Sequence, residues 1–256
     1  RGALPAAGAT DARCSSLVNA FQTQHAAVSP TGLRYVIVKP GGRKLTSGNV
    51  AVMRYLVCIA PGKFLDASQK GRTFAFTLGA KQVIRGTEEA IRKIGLGGSI
   101  DADLPYKLAY GAKGRPPAVP PKAELFFAIE LAGTYDVALS TLLGHAYASG
   151  GVDAINAAYA PAQASGFANM YAREDDLNGL AYRMLKKKQY DGAITVLQLN
   201  AKRFPDSWNA YDSLGDAYRM AGQAAPAIQN YKRALELNPK DDNAATYLKA
   251  LEPKPP

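Results

Sequence analysis

The sequence predicts an α+β domain followed by an all-helical domain. Three observations carry this. Thr73–Leu78 alternates Phe74, Phe76 and Leu78 against Thr73, Ala75 and Thr77, the period of two of a strand with one buried face. Thr87–Gly95 changes to a helical period, with Glu88 and Glu89 early, Arg92 and Lys93 late, and Ile91 and Ile94 on one face. After Tyr135 strand signals vanish and a 34-residue repeat takes over.

The chain has 256 residues, which suits two domains. Hydrophobic content of 47% and charged content of 20% fit globular protein and exclude a disordered chain. No run of 18 uncharged apolar residues exists, so no membrane span is expected. The net charge is +10. Residues 30–136 hold 16 Lys/Arg against 8 Asp/Glu, whereas residues 137–256 hold 13 against 12. The basic excess therefore sits on the first domain, but no nucleic-acid fold signature accompanies it, so no nucleic-acid partner is expected. His25 and His145 are far apart without ligand-spaced partners. No metal site and no Ser-His or Cys-His nucleophile follows. Cys14 and Cys58 either pair in an oxidising compartment or stay free; the sequence leaves both open.

Taken in order, residues 1–29 read as an N-terminal extension with a short helix from Cys14 to Gln24. The chain starts at Arg1, and residues 1–12 are rich in Ala, Gly and Pro, which fits either an end left by leader cleavage or a trimmed start. Leu33–Val38 is a strand stopped by Pro40-Gly41-Gly42, and Asn49–Ile59 a strand turned by Pro61-Gly62. Gly95 is expected in the left-handed conformation past the short helix, within a glycine-rich turn to Gly98. Ile100–Leu104 is a strand. Tyr110–Pro121, with four prolines and two glycines, is a loop. Leu125–Leu131 closes the sheet, with Phe127 and Ile129 on one side. The sum is an antiparallel sheet wrapped over one short helix.

In the second half, Tyr211, Leu214, Gly215, Tyr218, Ala227, Tyr231, Ala234 and Pro239 follow the tetratricopeptide (TPR) pattern. Thirty-four residues earlier stand Leu177, Leu180, Ala181, Met184, Ala193, Leu197, Asn200 and Pro205, a weaker copy. Small residues let paired helices approach and the terminal Pro stops the second helix. The repeats are 174–207 and 208–241, preceded by a degenerate helical pair over 137–173 and followed by a capping helix over 243–251. Asn200, Phe204-Pro205-Asp206-Ser207 and Asn209-Ala210-Tyr211-Asp212-Ser213-Leu214-Gly215 also resemble the helical tails of many exported bacterial hydrolases, over residues 140–250, which implies a bacterial, extracytoplasmic protein; the alternative is a cytoplasmic one.

In the first half, Tyr55, Asp66, Phe74, Val83-Ile84-Arg85-Gly86, Leu108-Ala109-Tyr110-Gly111 and Val119-Pro120-Pro121 occur in that order. Their spacing, across Leu33–Leu131, resembles the FKBP-type (tacrolimus-binding) peptidyl-prolyl isomerase domain. The resemblance implies domains at 30–135 and 136–256, no cofactor, and proline-containing polypeptides as substrates. It implies that Tyr55, Phe74, Val83, Ile84, Val119 and Phe127 line a bowl for the proline ring. Asp66 would sit at the rim beside Tyr55, while the Ile84 N–H and the Tyr110 hydroxyl would bond carbonyls of the bound chain. The Tyr110–Pro121 loop would overhang the bowl and read flanking residues. The family normally has Phe where Leu65 stands and Trp, the pocket floor, where Thr87 stands; Arg115 and Ala118 also differ from commoner choices. Losing a buried aromatic worth ~1.5–3 kcal/mol predicts ~10–100-fold weaker proline affinity or rate, and poor macrolide binding. In relatives, TPR helices grip acidic tails through Lys, Asn and Arg. The matching stretch here holds Asn178, Tyr182, Asp212, Ser213 and Asp216, whose acids oppose a carboxylate ligand. The expected function is a weak prolyl isomerase and folding helper with a partner-binding helical tail; the alternative is a non-catalytic peptide-binding module on a TPR scaffold.

Overall fold

The computed structural model describes residues 10–23, 25–69 and 72–251. The chain divides after Asp136 into two compact units. The first contains α1 (Thr10–Thr23), β1 (Ala27–Val28), β2 (Arg34–Lys39), β3 (Val50–Ile59), β4 (Lys63–Ala67), β5 (Phe74–Thr77), α2 (Arg85–Lys93), β6 (Ser99–Leu104) and β7 (Leu125–Tyr135). Its antiparallel sheet runs β1-β2-β6-β7-β3-β4, and β5 also pairs with β3. β5 lies along Val50–Met53 and β4 along Leu56–Ile59, so the two share β3 as one edge.

Alternation along β3 and β7 explains the core. Ala51, Met53 and Val57, with Leu125, Phe127, Ile129 and Leu131, are buried in one cluster with Ala90, Ile91 and Ile94. The intervening Leu56, Cys58, Phe126 and Ala128 face the other way and are buried too, against Cys14, Leu17, Val18 and Phe21 of α1. The sheet is thus covered on both faces, which is why Leu125–Ile129 is buried without interruption. The expected helix at Cys14–Gln24 is present from Thr10 to Thr23, with Gln24 outside the described residues, and it packs as part of the first unit rather than trailing from it. Cys14 and Cys58, which the sequence left open, are joined in a disulfide.

The short helix begins at Arg85, two residues earlier than the charge pattern indicates. Gly86 lies in its first turn because a Cβ there would come within 2.4 Å of the Leu104 side chain. Gly95 does not take the left-handed conformation expected of it: the helix ends at an extended Ile94, and Gly97, at φ +76°, makes the turn. Gly95 is needed for close approach instead, since an added Cβ would lie 2.1 Å from the Gly42 carbonyl oxygen.

The second unit contains β8 (Val137–Ala138), α3 (Leu139–Ala164), β9 (Met170–Tyr171), α4 (Glu174–Lys186), α5 (Tyr190–Arg203), α6 (Trp208–Met220), α7 (Ala224–Leu237) and α8 (Asp242–Leu251). β8 and β9 form a two-residue parallel pair that the sequence pattern did not signal. α3 is two helices broken at Gly150 and Gly151, matching the expected degenerate pair. Among the described residues no helix is long and apolar enough to cross a membrane. α4 and α6 start at Glu174 and Trp208, α5 and α7 at Tyr190 and Ala224, so the repeat period is the helix period. Gly215 earns its place through Tyr231: a Cβ would lie 2.7 Å from the ring, which is fully buried between α6 and α7. At the weak repeat position, Asn200 is buried but donates to the Glu174 carbonyl at 3.1 Å and to Asn178 Oδ1 at 2.8 Å.

Candidate functional site

Tyr55 occupies the middle of β3, and its odd-numbered register with Met53 and Val57 aims it at the α2 side of the sheet. β4 is held beside it: the Tyr55 N–H donates to Ser68 Oγ at 3.1 Å, and the Ser68 N–H donates to the Tyr55 carbonyl at 3.0 Å. The β3–β4 register shifts between Val57 and Cys58, and Leu65 is the residue left without an opposite partner. Asp66 then falls where the Tyr55 hydroxyl donates to its Oδ2 at 2.7 Å, while its Oδ1 accepts the Ala67 N–H at 2.8 Å. Burial, then the Asp66 bond and charge, push the Tyr55 phenol well above its ordinary range, so it stays a neutral donor. Tyr110 is close enough to add to that effect.

β5 supplies the aromatic wall. Phe74 meets Tyr55 edge-on, with centroids 6.2 Å apart and planes at 81°. It stacks at 6.2 Å on Phe76, which is 3% exposed against 39% for Phe74, so the wall rises from the core to an open lip. Phe76 is an interior support that the sequence placed on the same face without separating the two. Val83 and Ile84 pack half-buried against the core just before α2, and Thr87 is buried at 2% exposure in its first turn. The Ile84 carbonyl accepts the Thr87 N–H at 3.0 Å, whereas among the described residues its own N–H has no protein acceptor. Leu65 and Tyr110 also pack half-buried on this core, and Val119 and Phe127 are buried in it. Among the described residues the Tyr110 hydroxyl has no hydrogen-bond partner in the protein.

The Tyr110–Pro121 loop leaves through Gly111 at φ +70° and doubles back on itself. Arg115 and Val119 exchange backbone hydrogen bonds of 2.8 and 3.0 Å. Gly114, at φ +66°, permits this because a Cβ would lie 2.3 Å from the Pro120 carbonyl oxygen. The ten site residues named from the sequence thus lie in or against one side of the first unit's core, with Asp66 and Phe74 at its exposed margin. The arrangement is an apolar surface carrying one fixed hydroxyl–carboxylate pair and two unengaged donors.

In the second unit, Asn178, Asp212, Ser213 and Asp216 are buried and Tyr182 is partly exposed. Asp216 accepts from the Tyr182 hydroxyl at 3.0 Å, from Arg219 at 3.1 Å and from the Tyr231 hydroxyl at 2.8 Å. Asp212 accepts from Asn243 Nδ2 at 2.7 Å. These acids tie neighbouring helices together. Burial, with Asp241 and Asp216 nearby, pushes the Asp212 carboxyl up to about 6, against the pull of Asn243 and Arg219. A carboxyl raised on folding gives stability that is complete below its unfolded value and is lost as pH rises through about 6. Asp212→Asn keeps an acceptor for Asn243 and removes the buried charge. Solvent screens part of the charge's cost, so the variant is expected to stabilise the chain at pH 7.5 by on the order of 1 kcal/mol, with the gain gone by pH 4. Thermal unfolding at the two pH values checks this, and a less stable variant at pH 7.5 would refute it.

Residues 41–132 match the family FKBP-type peptidyl-prolyl cis-trans isomerase, and residues 208–241 match the tetratricopeptide repeat. The chain is 36% identical over 103 residues to FK506-binding protein 4 of Dictyostelium discoideum, covering 40% of this chain and 28% of that protein. It is 37% identical over 90 residues to FK506-binding protein 4 of Emericella nidulans, covering 35% and 19%. Among solved structures it is similar to FkpA from Escherichia coli, with 31% identity, a TM-score of 0.42, and 49% of this chain and 59% of that one covered. It is also similar to AtFKBP13, with 29% identity, a TM-score of 0.40, and 43% and 98% covered. The chain thus spans less than a third of the length of these curated relatives. On the family matches, the chain carries an FKBP-type peptidyl-prolyl cis-trans isomerase domain followed by a helical region with a tetratricopeptide repeat.

Proposed function

We propose that the first unit catalyses cis–trans isomerisation of X–Pro bonds in polypeptide chains, weakly, as a folding helper, and that the helical unit engages a protein partner. The Tyr55–Asp66 pair at 2.7 Å beside the edge-on Phe74 supports this best. The rotation barrier of an X–Pro bond, ~18–20 kcal/mol, is the lost resonance of a planar amide. A site lowers it by binding the twisted amide better than either planar form. Here the proline ring lies on the apolar surface, away from water that would stabilise the planar dipole. Asp66 fixes the Tyr55 hydroxyl, and the Ile84 N–H and Tyr110 hydroxyl hold carbonyls of the chain. No bond is made or broken, so no nucleophile, metal or cofactor is called for.

The test is a proline-peptide isomerisation assay on the whole chain beside the double variant Asp66→Ala/Tyr110→Phe. The wild-type chain should accelerate exchange and the double variant should fall to background. A wild-type rate equal to the double variant's would remove the catalytic reading. Thr87, buried where the family carries an aromatic floor, favours a second reading: a module that holds Pro-containing segments without turning them. Saturable peptide binding without acceleration would select it.

We place the protein in an oxidising, extracytoplasmic compartment such as a bacterial periplasm. The Cys14–Cys58 disulfide supports this, because cytosolic thiol systems keep such pairs reduced. Alkylation of acid-quenched cells should find both thiols blocked; two reactive thiols would oppose the assignment.

A further inference from the structure

The Tyr110–Pro121 loop, whose Tyr110 and Val119 pack on the core of the candidate site, carries charge of one sign together with its flanks. Between Pro105 and Ala123 stand Lys107, Lys113, Arg115 and Lys122, without a single acid. Arg85, exposed, opens α2 directly after Ile84 and adds a fifth cation. Among the described residues none of these five makes an ion pair. Acids of the first unit are engaged elsewhere: Asp103 with Arg34, Asp136 with Arg43, Glu130 with Arg54, and Glu88 with Arg92. Asp66, at the margin of the bowl, is held by Tyr55 and its own backbone neighbour. The next acid along the chain, Glu124, lies outside the set: it is exposed, and its charge falls on Asp103, whose carboxyl it helps to push up.

Arg115 is the best placed of the set. It lies directly opposite Val119 in an antiparallel pair. Directly opposed residues present their side chains to the same side of the pair. Val119 is buried in the core cluster with Phe127, so that side faces the candidate site, and Arg115 is the exposed member of the pair. A guanidinium there is both a charge and a planar donor for a carboxylate or phosphate. The remaining lysines keep the local potential positive over a distance comparable to the screening length of ~8 Å at physiological salt.

We propose that this loop selects prolyl segments whose flanking residues are negatively charged. The inference rests on the isomerase reading for its proline, but not for its charge preference. Clients would be recruited by attraction to the loop while the ring is held by the apolar surface, so the preference shows in kcat/KM and in binding, and weakens with salt.

The experiment uses the whole chain and three blocked peptides, Xaa-Leu-Pro-Phe-Xaa with Xaa as Glu, Gln or Lys, and a fourth with phosphoserine at both ends. Exchange NMR reads catalysis and fluorescence anisotropy reads binding. The Glu peptide should exceed the Lys peptide about tenfold at low salt and about twofold at high salt. Phosphoserine above Glu identifies phosphorylated clients as the source of the charge; Glu equal to or above phosphoserine identifies carboxylates. In Lys113→Gln/Arg115→Gln the Glu-to-Lys ratio should collapse toward one. A ratio of one or less in the wild-type chain, or one untouched by salt and by the double variant, overturns the proposal. If the Gln peptide binds but is not turned over, the isomerase reading fails and anisotropy still decides the charge preference. An oligonucleotide that displaces peptides bound without charge preference would assign the patch to nucleic acid and overturn it as well.

Discussion

Opening the Cys14–Cys58 disulfide, by Cys14→Ala/Cys58→Ala, is expected to destabilise the first unit by about 4 kcal/mol, the closure entropy of a loop of this length. The two residues are 44 apart in sequence and both sulfurs are fully buried between α1 and the sheet. Without the bridge, α1 keeps its packing through Leu17, Val18 and Phe21, the Arg34 guanidinium over the Phe21 ring, the hydrogen bond from Arg34 to the Phe21 carbonyl at 2.5 Å, and that from the Phe64 N–H to Asp11 at 3.0 Å. Undocking exposes Leu56, Phe126 and Ala128 on the outer face. The thermal midpoint should fall by roughly 10–20 °C. Reductant should lower the wild-type midpoint similarly and leave the variant unchanged. Peptide isomerisation at 25 °C should persist, because Leu56 and Cys58 point away from the face that bears Tyr55 and Val57. A midpoint within two or three degrees of wild type would show that packing alone holds α1.

The elements whose periodicity is local were legible. Phe74 and Phe76 announced β5, and the spacing from Leu177 to Tyr211 announced the helical repeats down to the glycine that admits Tyr231. What escaped depended on distant partners. Phe126 and Ala128 alternate with Phe127 and Ile129, and Leu56 and Cys58 with Tyr55 and Val57, so both faces of the central strands are apolar. That pattern implies a second covering layer but does not say which segment supplies it. Helix-end chemistry points to a turn conformation at Gly95, whereas the constraint there is the close Gly42 carbonyl, a partner distant in sequence. β4 carries Lys63 and Asp66 and gives no alternation, and β1, β8 and β9 are too short to have a period. At the site, the ordered residues suggested a bowl through resemblance. Their spacing could not show that Phe76 is interior and Phe74 is the lip, that Leu65 sits at a register shift, or that among the described residues the Tyr110 hydroxyl and the Ile84 N–H have no protein acceptor. Those facts belong to tertiary placement.

Thr87→Trp is expected to raise kcat/KM toward a Leu-Pro peptide by about 10–100-fold, and macrolide affinity with it. Thr87 lies in the first turn of α2, one residue after the glycine that lets Leu104 against the helix and three after Ile84. Residues three apart share a helix face, so a side chain at 87 lies beneath the Ile84 backbone, where the ring of a bound proline would rest. Threonine, buried at 2% exposure, presents almost none of its methyl or hydroxyl to a guest there. An indole supplies a large flat surface for the ring and removes that hydroxyl. Its gain is realised chiefly if the twisted amide seats the ring more deeply than the planar one, in which case kcat rises with affinity rather than KM falling alone. The competing outcome is overpacking, which costs ~1–3 kcal/mol in a filled core and would lower the unfolding midpoint. Measuring kinetics and thermal unfolding on the same preparation separates the two. A gain in turnover with an unchanged midpoint assigns position 87 to the floor of the site. An unchanged rate in a stably folded variant would show that proline is not held above α2, and the assignment of Val83, Ile84 and Thr87 to the substrate surface would be withdrawn.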